Sequence, residues 1–108
     1  MTYQLRDIKG SVVVITGATT GIGAAAAKQL VELGCKVVLN ARNEAKLKEM
    51  VDQLGAANAA YLAGDSSIPD VSRAVAKKAI DTFGTIDCVV PNAGIGMYGS
   101  VLDYSDDE

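Results

Sequence analysis

The stretch from Ser11 to Leu33, SVVVITGATTGIGAAAAKQLVEL, restricts the fold more than any other part of the chain. Ser11–Thr16 is a near-continuous β-branched run without polar alternation, the pattern of a strand covered on both faces. Gly17–Gly23 then forms a glycine-rich turn, and Ile22–Leu33 reads as a helix that Gly34 closes as its C′ residue. The alanines of that helix favour helical backbone, and their small side chains let it lie close to a sheet. A buried strand that runs through a tight turn into a helix is half of a βαβ unit, and such units build parallel sheets with right-handed crossovers.

The rest of the chain repeats the alternation. Lys36–Ala41 (KVVLNA) reads as a second buried strand. Asn43 can cap a helix over Glu44–Leu54, where Leu47, Met50, Val51 and Leu54 fall at i, i+3, i+4 and i+7, Glu44 and Lys48 can pair, and Gly55 is the stop. Ala59–Ala63 is a weaker third strand. Pro69 suits the first turn of a third helix reaching about Phe83, with Val71, Val75 and Ala79 on one stripe and Gly84 as its stop. Ile86–Val90 is a fourth strand, followed by Pro91, Asn92, Ala93 and Gly94. The order β-α-β-α-β-α-β predicts an α/β, Rossmann-type doubly wound parallel sheet with strands in the order 3-2-1-4. Helices one and two should lie on one face and the third on the other. With 108 residues the chain makes one domain at most.

Composition narrows the function. The net charge is −3 and the basic residues are scattered, so no nucleic-acid face is expected. There is no histidine, which removes the commonest general base and metal ligand together. Cys35 and Cys88 sit singly among apolar residues and read as buried reduced thiols; no metal site is expected. Asp103, Asp106, Asp107 and Glu108 read as a solvated acidic turn. The amino terminus has no apolar leader core and no stretch approaches membrane-spanning length, so the expected setting is soluble and cytoplasmic.

The turn from Thr16 to Gly23, TGATTGIG, carries the functional reading. Gly17 permits the sharp exit from the strand, and Gly21 and Gly23 allow a pyrophosphate close to the backbone and the helix close to the strand. The helix N-terminus adds free N–H groups and the positive end of its dipole. At the end of the second strand, Asn40-Ala41-Arg42 offers no carboxylate to the ribose 2′-hydroxyl, the usual mark of NAD selectivity. Arg42 instead supplies a forked cation suited to a 2′-phosphate. It could also be a solvent-exposed arginine, although a cation before a helix N-terminus opposes the dipole.

With Thr16–Gly23 matching T-G-x-x-x-G-[IL]-G, Asn92-Ala93-Gly94 after the fourth strand and Asp65 after the third, the chain resembles the short-chain dehydrogenase/reductase family over essentially its whole length. The resemblance implies NAD(P)-dependent hydride transfer between a carbonyl and an alcohol. It implies cofactor-binding roles for Gly17, Thr19, Thr20, Gly21, Ile22, Gly23, Arg42, Asp65, Asn92, Ala93 and Gly94. Asp65 would lie near the adenine ring, or could serve as a turn or cap residue; Asn92 could equally hold backbone between strands. An arginine at position 42 goes with NADP in this family, so NADP is expected over NAD. The family's catalytic Tyr-x-x-x-Lys pair has no match: four residues after Tyr3, Tyr61, Tyr98 and Tyr104 come Asp7, Asp65, Leu102 and Glu108. A phenol of pKa about 10 needs such a lysine to act near neutral pH. The final Ser105-x-x-Glu108 is a capping box that should open a further helix.

Residues 1–108 are therefore expected to be the front, cofactor-binding portion of a protein more than twice this length, catalytically incomplete alone. The rival expectation is a dinucleotide-binding or purely structural fragment without turnover. Ile86, Val89 and Val90 would leave an apolar edge on strand four, so self-association is expected through that edge or by exchange of segment 95–108.

Overall fold

The computed structural model describes residues 8–91. The elements follow in the order β1 (Val12–Thr16), α1 (Gly21–Glu32), β2 (Lys36–Ala41), α2 (Glu44–Leu54), β3 (Ala59–Ala63), α3 (Pro69–Phe83) and β4 (Cys88–Pro91). The four strands form one parallel sheet in the order β3-β2-β1-β4, with Val13 opposite both Val37 and Cys88. β2 and β3 are in register from Val37↔Ala59 to Ala41↔Ala63.

The period of two along each strand divides the core between the faces. Val13, Ile15, Val37 and Leu39 pack with Ala27 of α1 and Leu47 of α2. Val12, Val14 and Val38 pack with Val75 and Ala79 of α3. Two covered faces explain the unbroken apolar runs of β1 and β2, and the helices lie on the two faces as the order of elements predicts. Local chemistry fixes the helix starts. Thr20 Oγ1 accepts from the Gly23 N–H at 3.0 Å, and Asn43 Oδ1 from the Lys46 N–H at 3.1 Å. α3 has no side-chain cap and opens instead on Pro69, which has no N–H to satisfy.

Three expectations shift. β4 starts at Cys88, later than residue 86, because Asp87 binds the first residue of β1 through both its groups. Its carboxylate accepts the Val12 N–H at 2.8 Å, and its own N–H donates to the Val12 carbonyl at 2.9 Å. Cys88 is exposed rather than buried, because it opens the strand at the sheet edge, where no described helix covers it; Cys35 is buried as expected. Glu44 pairs with the Tyr61 hydroxyl at 3.4 Å rather than with Lys48, since the α2 start leans over β3. No described helix is long and apolar enough to cross a membrane, and the described residues contain no cluster of three potential metal ligands.

Candidate functional site

The β1–α1 turn is built around Gly17, whose φ of +64° lies in the left-handed region that favours glycine. The Thr20 N–H and hydroxyl both donate to the Gly17 carbonyl, at 3.2 and 3.0 Å, which closes the turn. Ala18 is fully buried beneath it, and its N–H donates to the Asn40 carbonyl at 3.0 Å, tying the turn to β2. Gly21 and Ile22 are the first two helical residues, so no carbonyl of α1 is available to their N–H groups. No acidic side chain occupies this first turn. Ile22 is 61% exposed at the lip of the turn.

Gly21 is informative because nothing among the described residues asks for it. Its φ is outside the left-handed region, and a Cβ built there meets no described atom within 4 Å. Glycine at a helical position carries an entropic cost of roughly 0.5–1 kcal/mol relative to alanine. Packing among the described residues gives no return on that cost, and the backbone at Gly21 is open to close approach.

Beside the turn, the carboxyl ends of β2 and β3 form the walls of a cleft of about 340 Å³, lined by Gly17, Thr19, Asn40, Ala41, Arg42, Asn43, Gly64, Asp65 and Ser66. Asn40, the buried polar residue of the described core, holds the walls together. Its amide donates to the carbonyls of Leu62 at 2.9 Å and Gly64 at 3.2 Å. The Gly64 N–H in turn donates to the Ala41 carbonyl at 2.9 Å. Arg42 and Asp65 meet across the mouth, Nη2 to Oδ2 at 3.3 Å. The second oxygen of Asp65 accepts from the Ser67 hydroxyl at 2.7 Å and the Ser67 N–H at 2.9 Å. These two bonds hold the Asp65 carboxyl below its ordinary range, with the Arg42 charge a smaller contributor. Larger depressions of about 580 Å³ lie between α1 and α2 and along β3, away from the turn. Position and lining, not size, single out this cleft.

Gly17, Thr19, Arg42 and Asp65 therefore line one cleft, while Thr20, Gly21, Ile22 and Gly23 form the adjoining helix start. Asn92, Ala93 and Gly94, with the acidic carboxyl-terminal segment and its capping box, lie outside the described residues. Arg42 has a partner in the bare protein, which the dipole argument did not foresee; an exposed pair of this kind contributes about 0–1 kcal/mol. Asp65 is a turn residue in its bonds to Ser67 and a cleft residue in its position. Sequence reasoning missed Asn40, although an asparagine inside an apolar strand signals a buried polar group in need of partners. Tyr61 is on the outer strand of the sheet, outside the cleft, and burial together with the Glu44 carboxylate pushes its hydroxyl up, away from use as a base near neutral pH.

A parallel α/β sheet with a glycine-rich turn opening onto a bare helix start, beside a polar cleft at the carboxyl ends of its strands, defines a dinucleotide-binding protein of the Rossmann type. Within that class the chain belongs to the short-chain dehydrogenase family, whose model matches residues 11–108. An uncharacterized oxidoreductase of Thermotoga maritima is 38% identical over 104 residues, spanning 94% of this chain and 41% of the relative. L-Sorbose reductase from Gluconobacter frateurii, solved with NADPH and L-sorbose, superposes with a TM-score of 0.73 at 35% identity, over 80% of this chain and 34% of the reductase. A 3-ketoacyl-(acyl-carrier-protein) reductase from Brucella melitensis, solved with NADH, gives 0.72 at 32% identity, over 76% and 34%. The chain thus spans well under half the length of these relatives.

Proposed function

We propose that residues 1–108 form the NADP(H)-binding part of a short-chain oxidoreductase. The N–H groups of Gly21 and Ile22 would hold the pyrophosphate, Gly17, Thr19, Thr20 and Gly23 would shape the turn, and Asp65 would stand near the adenosine. Asn92, Ala93 and Gly94 would complete the cofactor side by the same family resemblance. When bound, the dinucleotide supplies or takes the hydride exchanged with a carbonyl or alcohol substrate. The residues here bind and orient it; none of the four tyrosines is followed at the fourth position by lysine, so proton transfer to substrate is not assigned to this stretch.

The observation that carries the NADP preference is Arg42. Its side chain is 82% exposed at the cleft mouth, and Asn40-Ala41 puts no carboxylate before it to repel a 2′-phosphate. A hydrogen bond to a charged group contributes about 1.5–3 kcal/mol, and solvent screening at this exposed position argues for the lower end. Fluorescence titration should then show Arg42→Ala weakening NADPH about tenfold and NADH less than about twofold. Equal losses for the two dinucleotides would refute the assignment.

A second reading, a binding module that self-associates without turnover, is favoured by β4. Val89 is 53% exposed on that strand, beside an apolar groove lined by Val14, Val75, Ala76 and Ile86. Unpaired apolar edges recruit further strands.

A further inference from the structure

We propose that Asp65 sets the strength of the NADP preference by competing with the cofactor's 2′-phosphate for the Arg42 guanidinium. The inference rests on Arg42 as the phosphate reader and goes beyond it in making selectivity the property of a pair. The two residues are 23 positions apart and meet only because β2 and β3 end in register, Ala41 opposite Ala63.

The pair is asymmetric. The Asp65 carboxylate is fixed: one oxygen takes both the hydroxyl and the N–H of Ser67, and its side chain is 35% exposed. The other oxygen faces Arg42 Nη2 at 3.3 Å. Among the described residues Arg42 has no other side-chain partner, and at 82% exposure it is the less constrained member. In the bare protein the carboxylate therefore occupies one donor of the guanidinium and offsets part of its charge. A 2′-phosphate reaching for Arg42 must displace that contact, or share the fork with a carboxylate a few ångströms from its own negative oxygens. A ribose 2′-hydroxyl, being uncharged, meets no such opposition. Asp65 thereby narrows the gap between the two dinucleotides that Arg42 opens. The bonds to Ser67, which favour the ionised carboxyl, keep the competitor charged across neutral pH.

Asp65→Asn retains an oxygen to accept from Ser67 and removes the charge; Asp65→Ser is a second variant that keeps a short acceptor. Affinities of the 108-residue chain for NADPH and NADH are measured at low and at high salt, for the parent, both Asp65 variants, Arg42→Ala, and Arg42→Ala combined with Asp65→Asn. Because an exposed ion pair is worth at most about a factor of five, Asp65→Asn should raise the NADPH-to-NADH affinity ratio about threefold to fivefold. Any contact of Asp65 with the adenosine is common to both dinucleotides and cancels in that ratio, and the gain should shrink as salt screens the charges. In the Arg42→Ala background the gain should disappear. A lower NADPH-to-NADH ratio in both Asp65 variants would show that the carboxylate positions the guanidinium rather than competing for it, and would overturn the proposal. So would equal effects on the two dinucleotides, a gain that persists without Arg42, or absence of NADPH binding to the parent and variants alike. If Arg42→Ala lowers the NADPH-to-NADH preference but the Asp65 variants leave it unchanged, only this inference falls. If Arg42→Ala leaves the preference unchanged, the reading of Arg42 falls with it.

Discussion

Replacing Asn40 should be the most revealing single change to this sheet, because the two obvious substitutions separate loss of a donor from gain of a charge. The carboxamide is 1% exposed and donates to the carbonyls of Leu62 and Gly64, at 2.9 and 3.2 Å. In Asn40→Ala both bonds go, at about 1 kcal/mol each, and two partly buried carbonyls lose their donor, which brings the total to about 2–3 kcal/mol. For a domain of this size each kcal/mol moves the melting temperature by about 4–8 °C, so the midpoint should drop by roughly 10–20 °C. A loss of that size is a substantial part of the 5–15 kcal/mol typical of a whole domain.

Asn40→Asp presents oxygen where two carbonyls expect N–H groups. Only the protonated carboxyl can donate to either carbonyl, so folding favours the proton and raises the introduced group above the ordinary carboxyl pKa of about 3.9. Below that value the group is protonated in both states, and the penalty resembles that of alanine or is smaller. As pH rises past it, the unfolded chain releases the proton and the folded one retains it, so stability falls by up to about 1.4 kcal/mol per pH unit until the folded state also ionises. Thermal unfolding followed by far-ultraviolet circular dichroism between about pH 4 and 8 tests both variants against the parent. Asn40→Asp should lose stability relative to Asn40→Ala steadily with pH. If the two variants track each other across that range, the carboxamide is solvated and the account of the cleft walls fails.

Gly21→Ala should leave folding intact, or raise stability by roughly 0.5–1 kcal/mol, while weakening both dinucleotides by tenfold or more, since a methyl group would stand where a phosphate must approach; calorimetry and fluorescence titration read the two effects, and unchanged binding would remove the ligand-based reason for this glycine. Size-exclusion chromatography with light scattering should show the purified 108-residue chain associating at micromolar concentration, and Val89→Lys should reduce that association; a concentration-independent monomer would contradict the open-edge reading.

Signals that act within a few residues were legible in the sequence. The β-branched runs of β1 and β2, the 3.6-residue stripes of α2 and α3, the cap at Asn43 and the glycine-rich turn each arise from neighbours along the chain, and the strand order follows from their alternation. What escaped reading depends on register. Arg42 and Asp65 have no local reason to pair; the β2–β3 register brings them together. Glu44 stood ready for Lys48 one turn along its helix, yet the tilt of α2 over β3 gives it the Tyr61 hydroxyl instead. Cys88 sits in an apolar run, but burial is decided by what covers a strand, and among the described elements β4 lies at the edge. Asp87 looks like the first polar residue of a strand and in fact stitches the start of β1.

The same register explains why the candidate site is at one end of the sheet. Parallel strands deliver all their carboxyl ends to one side, so Gly17 follows Thr16, Arg42 follows Ala41, and Gly64 and Asp65 follow Ala63 at neighbouring positions in space. The turn contributes amide donors, β2 a cation and β3 an anion, each placed where its strand ends in the parallel sheet. The opposite end is tied by structural bonds such as Asp87 to Val12 and the Gly10 N–H to the Gly34 carbonyl. Substitutions at the carboxyl end can therefore retune charge without disturbing the core, with Asn40 as the exception. Its carbonyl holds the turn through Ala18 while its amide holds β3, so at Asn40 binding geometry and folding stability are coupled.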